Sequence, residues 1–119
     1  MILALDKHLA LHVFTSAEDA QRHLEAIDVQ QNAFEFCNAS GQRYTPIFTR
    51  PPREWRLGPI GMVEVGTFRL VAEGGIDSGV PERFVERAAH IEHTSFPLIT
   101  SIEILRNELY KRALEKQGG

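Results

Sequence analysis

Apolar and polar residues change their period several times along this chain, and the changes divide it into elements. Leu9, Leu11 and Val13 alternate with Ala10, His12 and Phe14, which predicts a strand buried mainly on one side, with Ile2–Leu5 as an earlier strand or arm. Thr15 and Ser16 then offer side-chain oxygens to cap free amide groups, and Glu18 and Asp19 follow where a helix dipole favours negative charge. The spacing of Ala17, Ala20, Leu24 and Ile27 predicts a helix that begins at Ala17 and buries one stripe. After Asp28 the period becomes two: Phe34 and Phe36 alternate with Glu35 and Cys37, and Asn38-Ala39-Ser40-Gly41 supplies a turn in which Gly41 takes a positive φ. The stretch 43–49 is expected to return antiparallel, and Pro46, which has no N–H to donate, puts that strand at an edge or bulge.

Pro51-Pro52 ends this strand, and the glycine-punctuated stretch after it reads as a loop plus a short strand. Residues 67–73 form the next clear strand, closed by Gly74-Gly75. Pro81 opens a helix with Phe84, Val85, Ala88 and Ala89 on its apolar face, ending near His90 or Glu92. Ser101 caps a last helix that buries Ile102, Leu105 and Leu109. The order predicts a single α+β domain over 1–119: an antiparallel sheet of about four or five strands with three helices packed on it.

A chain of 119 residues, 43% apolar and 24% charged, has the bulk of one globular domain that needs no staples. Its longest apolar runs fall short of the ~18 residues of a membrane span, and Asp6, Lys7, His8 and His12 interrupt the start as no signal peptide would allow. A net charge of −3 gives no broad basic surface for nucleic acid. The lone Cys37 has no disulfide partner within the chain, so the cytoplasm is the expected compartment.

Candidate chemistry is sparse. Cys37 with a histidine base would make a nucleophilic pair, but a cysteine at an alternating strand position is more often a core residue. His90 and His93, three apart and near Glu86 and Glu92, fit a two-histidine metal site on a helix or the favourable end of a helix dipole. No metal or cofactor is expected. Arginine and tryptophan are the residue types that most often anchor interfaces, which singles out Arg53, Trp55 and Arg56; whether they bind a partner or close the core depends on the exposure of Trp55.

The stretch 25–44, EAIDVQQNAFEFCNASGQRY, preceded by VFTSAEDAQRHL, resembles small bacterial immunity proteins encoded beside contact-dependent or type VI secreted toxins. The resemblance covers about the first 45 residues and a general later pattern of strand and helices. It implies a non-enzymatic protein that neutralises a cognate toxin domain by stoichiometric binding. Glu25, Asp28 and Glu35, with Glu18 and Asp19, would then offer acidic charge to a basic toxin face, and the segment around Trp55 would be the anchor. Two other classes stay open: a small enzyme using Cys37 or a histidine, and a homo-oligomer that pairs a sheet edge near Pro46.

Overall fold

The computed structural model of the chain describes the backbone of residues 1–50, 53–57, 60–64 and 66–118 and the side chains of 1–49 and 66–115. Its elements run β1 (Ile2–Leu5), β2 (Ala10–Phe14), α1 (Ala17–His23), α2 (Ala26–Gln31), β3 (Glu35–Asn38), β4 (Gln42–Arg50), β5 (Arg53–Leu57), β6 (Ile60–Glu64), β7 (Thr67–Ile76), α3 (Val80–Arg87), β8 (His90–Thr94) and α4 (Ile102–Gly118). The expected α+β class holds. Among the described residues the main sheet has six strands, ordered β7-β4-β3-β1-β2-β8, and β5 and β6 form a separate antiparallel pair.

The helices lie on both faces of this sheet. All four residues of β1 are buried, as in strands covered on two sides. Leu3 and Leu5 join Leu11, Val13 and Cys37 beneath Val80, Phe84 and Val85 of α3 and Leu105 of α4. Ile2 and Ala4 join Phe14, Phe36, Phe68 and Leu70 beneath Ala20 of α1 and Ala26 and Val29 of α2. Although β2 and β7 lie on either side of three intervening strands, α1 touches both, so the sheet curls around the α1–α2 layer.

Three details depart from the sequence expectation. One helix over 17–27 is replaced by two, because Leu24 and Glu25 take extended backbone angles. Nine residues separate Ala20 from Val29, which on one straight helix would set them about 180° apart; the break lets both face the sheet. The end expected for α3 at His90 or Glu92 belongs to β8, parallel to β2; α3 stops at Arg87 with Ala88 as its C-cap. Residues 53–57 and 60–64, in the stretch expected as a loop plus a short strand, form the β5–β6 pair. The break placed at Pro51-Pro52 lies outside the described residues.

The capping predictions hold in atomic detail. The Asp19 N–H donates to Ser16 Oγ at 3.1 Å and the Ile104 N–H to Ser101 Oγ at 3.2 Å. Gly41 has φ +96°, as the turn between β3 and β4 requires.

Candidate functional site

One face of the β4–β7 pair is exposed. Register places Arg43 opposite Cys37, and strand alternation then puts Arg43, Thr45, Ile47 and Thr49 on the α3 face of the sheet. Tyr44 and Phe48 pack toward the α1–α2 core. Cross-strand partners carry the same face onto β7 through Arg69, Val71 and Glu73. Arg43 is the boundary: its guanidinium lies 5.6 Å from the centre of the Phe84 ring of α3.

Beyond Arg43 this face is open. Ile47 is 46% and Val71 40% exposed. The polar residues around them bond across the ribbon, Thr45 Oγ1 donating to Glu73 Oε2 and the Thr49 and Thr67 hydroxyls meeting at 2.9 Å. Such cross-strand pairs stiffen a two-stranded ribbon, and here they frame two exposed aliphatic side chains.

Pro46 sits where, among the described residues, β4 has no partner on its β3 side, in keeping with the edge position expected for it. β4 lies between β3 and β7, but β3 pairs with it only at Arg43 and Tyr44, so the missing N–H of Pro46 leaves no ladder bond unmade. The sheet edge on this side is β7. Its Leu70 N–H donates to Gln21 Oε1 of α1 at 2.8 Å, and the Gln42 amide bonds the Glu73 and Gly74 carbonyls where two extra residues bulge the strand. Both features blunt an otherwise open edge.

The sequence-predicted contact residues do not gather into one patch. Arg53, Trp55 and Arg56 lie in β5, in register with Glu64, Met62 and Gly61; their side chains are outside the described residues. Glu25 caps α2 and Asp28 sits in its first turn, both exposed. Glu35 lies on the opposite, α3 side, and its charge is already met: Arg87 reaches it at 2.5 Å and Arg43 at 3.9 Å. The bond from Arg87 holds the Glu35 carboxyl below its usual range against the opposing effect of burial.

The residues proposed for enzyme chemistry fall elsewhere. Cys37 is fully buried, and burial pushes its thiol up to about 12 against the milder influence of Arg43, so a thiolate nucleophile is unavailable in the folded chain. His90 is exposed and bonded to Glu92 at 2.8 Å, while His93 turns inward, its ring centre 5.2 Å from that of Phe14 and 5.5 Å from that of His23. The His93 Nε2 is buried without a hydrogen-bond partner among the described residues. Nor do three metal-ligating side chains converge among those residues.

Asp19, near these rings, has a structural task. Burial would raise its carboxyl, but donation from the Thr15 N–H, the Ser95 hydroxyl and the Thr15 hydroxyl, with the charge of His23, brings it to about 2. It ties the start of α1 to the segment after β8.

Sequence reasoning missed the open face of β4 and β7 because Ile47 and Val71 become neighbours only through register; the alternation of each strand was legible, the pairing was not. Among known proteins, no family model, no curated protein and no solved structure matches this chain.

Proposed function

We propose that this chain is a non-enzymatic protein-binding module of the cytoplasm, and that its partner is a toxin domain neutralised by stoichiometric association. The observation that carries the reading is the ribbon: among the described residues, β4 and β7 leave the helix-covered part of the sheet with a bare face, and β5 and β6 form a pair with no third strand. An isolated two-stranded hairpin is marginal in water. A partner surface laid on the ribbon supplies the missing layer. Ile47 and Val71 provide its apolar centre, Arg69 and Glu73 its polar rim, and Trp55 the type of residue that anchors interfaces.

Blockade needs no chemistry from this chain, only occlusion of the partner's working surface. The acidic residues Glu25 and Asp28 lie in the layer opposite Glu35 and act in this reading through the long-range field that speeds encounter, not as direct contacts.

The test is capture from the native cell with the purified protein, alongside a variant carrying Ile47→Glu and Val71→Glu. The wild type is expected to recover one partner in roughly equal amount, and the variant to lose it while keeping its circular dichroism spectrum. Trp55→Ala is expected to weaken the same complex by about 2 kcal/mol or more. Recovery of no partner, or equal capture by the double variant, overturns the reading.

A further inference from the structure

On the far side of the core from α1 and α2, α3 and α4 diverge to leave a groove of about 600 Å³. That volume lies within the range of small-molecule sites, about 300–1,000 Å³. Its floor is apolar, formed by Pro81 and Val85 of α3 and Leu109 and Ala113 of α4. Arg106 and Arg112 line it from α4, and Glu82 faces them from α3.

The charges differ in their availability. Arg112 is held by Glu108 at 3.1 Å. Arg106 has no ion-pair or hydrogen-bond partner among the described residues. With Arg112 neutralised by Glu108, Arg106 is the one guanidinium among the described lining residues left to meet an anion, which suits a monoanion and disfavours a dianion.

The start of α3, which also borders the groove, does not offer a phosphate cradle. The Gly79 N–H donates to Asp77 Oδ1 at 2.9 Å and the Val80 N–H to the Asp77 carbonyl at 3.0 Å. Pro81 has no N–H to give, so the three successive amide positions at 79–81 that would cradle a phosphate at a helix N-terminus are spent or absent. A carboxylate requires only the planar fork of one arginine.

We infer that this groove binds a small amphipathic carboxylic acid, its apolar body on Pro81, Val85 and Leu109 and its carboxylate on Arg106. Tyr110, exposed on the same side of α4, closes over the apolar body. The site is separate from the ribbon, so it stands or falls independently of the protein-binding reading.

The experiment is a titration of the ¹⁵N-labelled protein with decanoate below its micelle concentration, followed by amide shifts. Saturable shifts are expected over 82–85 and 106–113. Arg106→Gln, whose side chain is exposed, should weaken decanoate at least fivefold. Ala113→Trp, which fills the groove, should abolish the shifts with the fold retained by circular dichroism. Decanamide should bind at least fivefold more weakly than decanoate, and decyl phosphate no more tightly. The proposal is overturned by an absence of saturable shifts, by equal affinity for decanamide and decanoate, or by unchanged binding in both variants.

Discussion

At the scale of single residues, Asp19 shows how a buried charge becomes structural. Its carboxylate accepts from the Thr15 N–H at 2.9 Å and from the Thr15 hydroxyl at 3.0 Å, and also from Ser95. Because the folded carboxyl titrates near 2, below its ordinary 3.8, its contribution is complete above about pH 4 and is lost as the pH falls through 2. Asp19→Asn keeps the shape but replaces the ionised acceptor by an amide that presents one oxygen and unwanted donors. The expected loss at pH 7 is about 1–3 kcal/mol, read from urea midpoints. The gap between wild type and variant should narrow as the pH is lowered from 4 toward 2. A gap that stays constant with pH would show that the charge is not what holds this junction.

At the scale of elements, Gly41 couples the β3–β4 turn to the entry of α3. Its carbonyl accepts from the Asp77 N–H at 3.1 Å, and a Cβ at this position would run into the Asp77 carbonyl. Gly41→Ala therefore combines a left-handed backbone with a collision against main chain, and a loss of about 2 kcal/mol or more is expected by thermal or urea unfolding. A change within a few tenths of a kcal/mol would mean that the turn moves without strain. This glycine was legible in the sequence, as were the caps at Ser16 and Ser101, because local rules about φ and orphan amides need no tertiary information. The break at Leu24 and Glu25 was not, since it is imposed by where Ala20 and Val29 must both land on one curled sheet. β8 was hidden for the same reason: the helix before it reads as running to His90 or Glu92, and only the parallel pairing with β2 separates the strand from it. The candidate surface divides likewise, with Trp55 visible by composition and the Ile47–Val71 face visible only after pairing.

At the scale of the whole molecule, the radius of gyration of 15.9 Å and extents of 62 × 27 × 21 Å exceed the roughly 13.5 Å radius of a rounded domain of this length. The stretching raises the question of whether the chain unfolds as one unit. Cys37 reports on it, because it is completely buried in β3, between β1 on one side and β4, the root of the ribbon, on the other. A thiol reagent must wait for an opening that exposes Cys37 and lets its thiol ionise at an ordinary pKa, so labelling is expected to be negligible in the folded protein. In increasing urea, the free energy of exposure obtained from labelling rates should match the global value from circular dichroism, as for a group released only by complete unfolding. Labelling at a distinctly lower free energy would instead mean that β3, β4 and the ribbon open while β1, β2 and the helices stay folded. The first result would make 1–119 one cooperative unit, in which the bare ribbon rests on the stability of the whole core. The second would make the ribbon and its root a separable element, stabilised fully only when a partner covers it, and the same labelling repeated with partner bound should then rise to the global value.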